Sequence, residues 1–128
     1  ATQGHALAQH QLAALYFRGQ GINKNYSMAF KWYHRAAQLG YVDAQFQLAN
    51  MYLSGIGIEQ NHKHAYTWYK HAAAQGDANC QSRLAMLYAQ GLGINQNLAQ
   101  AFHWHTKAAQ KGQPLSIEWI ANKHQKLQ

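Results

Sequence analysis

Apolar and small residues recur along this chain at helical spacing, and the arrangement returns every 36 residues. In each period the spacing predicts two amphipathic helices, which cover about residues 5–18 and 26–39 in the first period. At 100° per residue, the recurring positions fall on one face of each helix. In the first period these positions are Ala8, Gln9, Leu12, Ala13 and Tyr16 in the first helix, and Ala29, Trp32, Ala36 and Ala37 in the second.

The 36-residue interval defines three complete units, at residues 5–40, 41–76 and 77–112. Thirteen of the 36 positions are identical in all three units, without a gap. Such self-similarity predicts a stack of helix pairs, in which each unit buries its apolar face against its neighbours. The remaining residues, 113–128, align with the first helix of a further unit, and Pro114 is suited to the first turn of that helix, predicted over 114–126.

Glycine and asparagine mark the ends of the predicted helices. Two glycines in each interhelical loop permit positive φ, and an asparagine before each second helix can accept a hydrogen bond from a free backbone N–H. A glycine after each second helix is predicted to adopt the left-handed conformation. The loop of the first unit contains Gly19 and Gly21, the asparagines are Asn25, Asn61 and Asn97, and the closing glycines are Gly40, Gly76 and Gly112.

The unit at 41–76 carries the motif most fully, with Leu48-Ala49, Gly55-Ile56-Gly57 and Trp68-Tyr69 at its characteristic positions. This pattern resembles the Sel1-like repeat. The resemblance implies a right-handed α-superhelix of stacked antiparallel helix pairs, related to tetratricopeptide arrays. It also implies a role as adaptor or scaffold, and many bacterial members act in the envelope or in host interaction, which favours a periplasmic or secreted location over the cytoplasm.

The chain departs from the family pattern at two places and has an informative start. Asparagine stands where the family often has aspartate before the second helix, and the Trp-Tyr pair becomes Trp104-His105 in the third unit. Residues 1–4 align with residues 37–40, so we expect them to end a preceding second helix. This favours an excerpt of a longer array.

Composition narrows the function classes. The chain is 48% hydrophobic, which is too high for a disordered protein, and no apolar run approaches the roughly 18 residues that span a bilayer. A single cysteine excludes a disulfide framework and a cysteine-based zinc site. The formal net charge of +7 favours an acidic partner.

The face of the first helices opposite the core carries residues that differ between units, and we call it the first-helix face. In tetratricopeptide-like arrays the corresponding face lines the concave groove, so this face is the predicted site for a peptide or protein partner. Packing of Phe17 and Leu53 against a neighbouring repeat is the alternative. The candidates are His10, Ala14, Phe17, Arg18, Phe46, Asn50, Leu53, Met86 and Gln90. The same face also carries Leu7, Asp43, Ser54, Asn79, Ser82, Ala89, Leu115, Glu118, Asn122, Gln125 and Lys126.

The outward face of the second helices is basic. This face is either a plain solvated surface or a surface that anchors the chain to an acidic protein or lipid surface. The aromatic residues of these helices are expected on the opposite side, where they cannot stack with bases, so specific nucleic-acid binding is not predicted. The anionic-surface candidates are Lys31, Arg35, Lys70, His71, Lys107 and Lys111.

The sequence offers no catalytic, metal or cofactor motif. None of the nine histidines is paired at i,i+3 or i,i+4, and no serine starts an S-x-x-K motif. Cys80 occupies a column held by alanine elsewhere and is predicted to be buried. A non-catalytic adaptor is therefore the leading hypothesis, without cofactor or metal. An envelope enzyme acting on β-lactams or peptidoglycan is the alternative, although the cysteine pairs of such relatives are missing here.

Overall fold

In a computed structural model of the protein, residues 2–19 and 23–126 are described, and they form seven α-helices and no strand. The all-α fold class predicted from the periodicity is confirmed, and the last helix has the predicted bounds. The helices are α1 (Thr2–Arg18), α2 (Tyr26–Gln38), α3 (Val42–Ser54), α4 (His62–Ala74), α5 (Ala78–Gln90), α6 (Leu98–Gln110) and α7 (Pro114–Lys126).

The chain divides into two compact halves, Ala1–Trp68 and Tyr69–Gln128. In the N-terminal half α1 packs against α2 and α2 against α3, and in the C-terminal half α5 packs against α6 and α6 against α7. Small side chains dominate the contacts, and they allow the helices to approach closely. The buried cluster of the N-terminal half consists of Ala13, Ala29, Tyr33, Ala36, Ala37, Ala44, Leu48 and Met51.

Each interhelical loop folds back onto the helix that precedes it. The backbone N–H of Asn25 donates to the carbonyl oxygen of Tyr16 at 2.9 Å, and the same contact recurs at 2.8 Å in the other two loops. The side chain of each of these asparagines also accepts a hydrogen bond of 3.0 Å from the backbone N–H three residues later. The predicted N-caps are confirmed.

The closing glycines have the predicted conformation, with φ of +90° at Gly40, +100° at Gly76 and +86° at Gly112. Gly57 is constrained by contact as well as by its φ of +76°. A Cβ atom there would lie 2.5 Å from the carbonyl oxygen of Tyr26. Only glycine fits this close approach of the second loop to the start of α2.

In the second and third repeats, a buried glutamine of the first helix joins it to the preceding helix. The side-chain amide of Gln45 in α3 donates to the carbonyl oxygen of Ala37 in α2 at 3.1 Å. Gln81 in α5 makes the equivalent bond of 3.2 Å to Ala73 in α4. These carbonyl groups also accept the backbone N–H of Gly40 and Gly76 at 3.0 Å, so the glutamine adds a second hydrogen bond that ties each second helix to the first helix of the next repeat.

The start of the chain differs from the prediction. Residues 2–18 form one continuous helix, so Gly4 does not end a preceding helix as predicted, and no neighbour lies within 4 Å of the position of its missing Cβ. Ala8 is exposed although Ala44 and Cys80 in the same column are buried, since no described helix packs on that side of α1. Gly21 lies outside the described residues.

Candidate functional site

The third repeat departs from the other two at His105, which stands where they have Tyr33 and Tyr69. His105 is 4% exposed, and its Nδ1 lies 2.7 Å from the Oγ of Ser116 on α7. The imidazole also stacks on the indole of Trp119, with ring centroids 4.3 Å apart and planes inclined by 23°. These two contacts fix the position of α7 against α6.

Burial lowers the pKa of His105 to about 4, because a low-dielectric surrounding disfavours the charged imidazolium. The ring is therefore neutral at neutral pH. Ser116 is fully buried. The His105–Ser116 pair has the residue types of a nucleophile and its base, but a buried hydroxyl cannot reach a substrate, and the pair serves to join two helices.

A pocket of about 290 Å³ opens beside this pair, between α5 and α7. Its walls combine apolar groups with a few polar ones, the usual composition of a ligand-binding cleft. The lining residues are Ser82, Arg83, Met86, Ala89, Gln90, His105, Leu115, Glu118, Trp119 and Asn122. The pocket therefore contains two of the predicted partner-binding residues, Met86 and Gln90.

Arg83 and Glu118 place opposite charges on the walls of this pocket. In the described part of the chain neither has an oppositely charged group within 4 Å, so they do not neutralise each other as an ion pair. Both remain able to pair with charged or polar groups of a ligand.

The candidates on α1 lie at a different place. His10, Ala14 and Arg18 line an open depression on the surface of α1. Phe17 turns towards its own repeat, with its ring 5.1 Å from that of Tyr26 and 6.4 Å from that of Tyr33. Phe17 is thus engaged by the second helix of its own repeat, and neither of the roles weighed for it describes that contact.

His10 is held between two tyrosine rings, with centroids 5.3 Å from Tyr33 and 5.1 Å from Tyr41. Burial lowers its pKa, Asp43 opposes that effect, and Arg18 adds to it. Its Nδ1 is buried and has no hydrogen-bond partner among the described residues. In the first repeat, therefore, aromatic rings occupy the space in front of the second helix.

The three candidates on α3, Phe46, Asn50 and Leu53, are half-buried. The carbonyl oxygen of Leu53 accepts a hydrogen bond of 2.8 Å from the side chain of Gln60, which ties the loop to the end of α3. The nine predicted residues are consequently distributed, with two in the α5–α7 pocket and three in the depression on α1.

The six basic candidates are all exposed, as a surface role requires. Several of them lie over tryptophan rings of the second helices. The guanidinium of Arg35 is 4.8 Å and the ammonium of Lys31 is 6.0 Å from the ring of Trp32, and Lys107 is 5.2 Å from the ring of Trp104. The expected separation of aromatic and cationic faces is therefore wrong, because long basic side chains fold back over half-buried rings.

Lys111 also has an internal role, since its ammonium donates to the carbonyl oxygen of Gly76. Lys70 and His71 are exposed on α4. His34 on α2 is half-buried, with its ring edge-on to Trp68 at 5.9 Å, and burial lowers its pKa.

Three residues of the pocket lie outside the first-helix face as the sequence defined it: Arg83, His105 and Trp119. Two of them had a sequence signal. His105 interrupts the Trp-Tyr pair, and Trp119 is the one tryptophan of four that lies outside the 36-residue register. Nothing in the sequence distinguishes Arg83, because its column is polar in every unit.

Within the described residues, no three histidine, cysteine, aspartate or glutamate side chains are placed so that they could hold a metal ion. Cys80 is buried, as predicted. No helix in the described part of the chain combines the length and apolar character needed to cross a bilayer.

The helix pairs and the pocket between successive first helices define a helical-repeat protein with a ligand-sized site on its surface. A family model described as Sel1 repeat matches residues 6–41, 42–77 and 78–113. The chain therefore belongs to the Sel1 repeat family. The matches begin one residue later than the units defined by glycine spacing and have the same period. Proteins of this family are generally protein–protein interaction modules and non-catalytic scaffolds.

Three solved structures have the same fold. A protective antigen present in uropathogenic Escherichia coli strains is 31% identical, with a TM-score of 0.89 over 92% of this chain and 25% of its own. A Sel1 repeat protein from Oxalobacter formigenes is 35% identical, with a TM-score of 0.85 over 89% of this chain and 47% of its own. Cysteine-rich protein B of Helicobacter pylori is 18% identical, with a TM-score of 0.73 over 90% of this chain and 89% of its own.

The chain thus spans about a quarter of the first of these structures and about half of the second. Among curated protein sequences, none matches it.

Proposed function

We propose that this chain binds a peptide segment of a protein partner on its first-helix face, with the α5–α7 pocket as the anchoring point. The observation that carries the proposal is the pocket itself, which contains Met86 and Gln90 among apolar walls, together with the charged side chains of Arg83 and Glu118. Interfaces of this kind derive most of their affinity from a few side chains inserted into desolvated pockets. The adaptor role that is general in the family supports the same assignment.

The proposal has no catalytic step. Ser116, which is hydrogen-bonded to His105, is fully buried. We therefore expect the protein not to hydrolyse a chromogenic β-lactam. Turnover above the buffer rate that disappears in a Ser116→Ala variant would contradict this part of the proposal.

The binding test uses peptides selected from a random display library on the immobilised chain. Leu115→Arg places a long cation at the pocket rim, where the native side chain is 57% exposed, so the substitution should not disturb the core. Ile117→Arg is the matched control, because Ile117 is 48% exposed on the same helix but does not line the pocket. We expect Leu115→Arg to weaken peptide binding at least tenfold and Ile117→Arg to leave it unchanged.

Failure of the chain to select any peptide, or equal effects of the two arginine substitutions, would contradict the proposed site. Basic binding through the second helices makes a different prediction. Affinity would then fall when Lys70 and Lys107 are both replaced by glutamate, and it would be abolished at about 0.5 M salt, where the Debye length is only a few ångströms.

A further inference from the structure

The inner wall of the α5–α7 pocket is formed by three residues that are larger at the same positions of the first repeat. Ser82, Ala89 and His105 line the pocket. In the 36-residue register they correspond to His10, Phe17 and Tyr33, respectively. Each replacement removes side-chain volume, so three changes together open a space in the third repeat.

The first repeat shows what this space accommodates. There His10 lies against Tyr33 at 5.3 Å, and Phe17 lies edge-on to Tyr33 at 6.4 Å and tilted against Tyr26 at 5.1 Å. These distances are typical of favourable aromatic contacts. The helix-pair scaffold therefore holds rings in front of its second helix when it supplies them itself.

The outer wall of the pocket is suited to a ring as well. Trp119 is half-buried, stacks on His105 and lines the pocket. Met86 adds a thioether, which interacts favourably with aromatic rings, and Leu115 adds an aliphatic edge. At about 290 Å³ the pocket lies at the lower limit for a whole small-molecule ligand, and its size suits one inserted side chain.

From this comparison we infer that the α5–α7 pocket receives an aromatic side chain of the partner peptide, in the place of the rings that the first repeat provides for itself. This inference rests on the proposed function, because it names the residue class that the same site recognises. Arg83 and Glu118 on the pocket walls can pair with charged or polar groups that flank the ring in the peptide.

The test restores the missing ring from within the chain. Ala89→Phe introduces the residue that the first repeat has at this position, and it should fill the pocket. Ala99→Phe is the matched control, because it makes the same alanine-to-phenylalanine change at an exposed position of α6 that does not line the pocket. Ala89 is half-buried and Ala99 is exposed, so neither substitution enters the fully buried core and both variants should fold. Circular dichroism checks this.

Peptides selected on the wild-type chain should share an aromatic residue at one fixed position. Replacing that residue by leucine should weaken binding about fivefold or more, since aromatic contacts contribute beyond buried area. Ala89→Phe should weaken binding at least tenfold and Ala99→Phe should not. His105→Tyr, which restores the residue of the other two repeats, provides a second pocket-filling variant if Ala89→Phe does not fold.

The outcomes separate the two proposals. If no peptide binds, the proposed function fails. If peptides bind in a Leu115→Arg-sensitive manner but share an aliphatic or charged residue, or tolerate the aromatic-to-leucine change, the aromatic inference is wrong and the proposed function stands. Dimerisation of the wild type that is lost in Ala89→Phe would identify a second copy as the occupant and would also overturn the inference.

Discussion

Acidification should destabilise this protein through the buried imidazole of His105. In the unfolded chain a histidine titrates near pH 6.5, whereas burial lowers the pKa of His105 to about 4 in the folded protein. As the pH falls, the unfolded chain therefore binds a proton before the folded protein does. The stabilising contribution of the neutral ring is complete above about pH 6.5 and is lost as the pH falls towards 4.

The size of the effect follows from the two pKa values. Their difference corresponds to about 3 kcal/mol of unfolding free energy once both states are protonated, and to about 2 kcal/mol at pH 5. Because His105 is only 4% exposed, solvent screening reduces this value little. His10 and His34, whose pKa values burial also lowers, contribute in the same direction, so the contribution of His105 has to be isolated by substitution.

Urea unfolding at pH 7.5 and at pH 5 measures the effect. His105→Gln removes the titrating group and keeps a side chain that can hydrogen-bond Ser116, while His71→Gln removes an exposed histidine as the control. The wild type and His71→Gln should each lose about 2 kcal/mol more than His105→Gln between these two pH values. Taking the difference between variants cancels most of the general repulsion that accompanies the rising positive charge.

Proton NMR gives an independent measurement, since the ring protons of His105 should titrate well below those of an exposed histidine. Equal losses of stability in His105→Gln and the wild type would refute the reasoning. A His105 ring that titrates near pH 6.5 would refute it as well, because the ring would then not be desolvated.

Three further predictions concern packing and charge. Gly57→Ala should destabilise the chain clearly more than Gly112→Ala in thermal unfolding. Gly112→Ala introduces only the strain of positive φ, which costs about 1 kcal/mol of unfolding free energy, whereas Gly57→Ala also brings a Cβ atom against a backbone carbonyl. Ala72→Leu should cost roughly 1–3 kcal/mol of unfolding free energy because it overpacks a fully buried helix contact, and an unchanged melting temperature would contradict that packing. Replacing Lys70 and Lys107 by glutamate should remove any binding to acidic lipid vesicles at low salt while leaving peptide binding intact, and vesicle binding that survives would show that these side chains do not mediate it.

The sequence alone determined the repeating elements of this protein, because local physical rules govern them. The asparagine N-caps and the left-handed glycines occur where the sequence placed them, since a cap or a positive φ depends on one residue and its immediate neighbours. Helical periodicity likewise predicted which face of each second helix is buried. The prediction that Gly4 ends a preceding helix was wrong, since residues 2–18 form one continuous helix.

The tertiary structure decided the site. The sequence showed that Tyr becomes His at position 105, but not that Ser116 would hold the new ring or that Trp119 would stack on it. The pocket exists because the small side chains of Ser82, Ala89 and His105 on α5 and α6 face α7. No periodic pattern in the sequence reveals how these volumes combine. Phe17 and Ala89 occupy the same position of their repeats, yet Phe17 packs on rings of its own repeat whereas Ala89 lines a cavity. The volumes of the neighbouring side chains, rather than the position in the repeat, therefore determine what each site can bind.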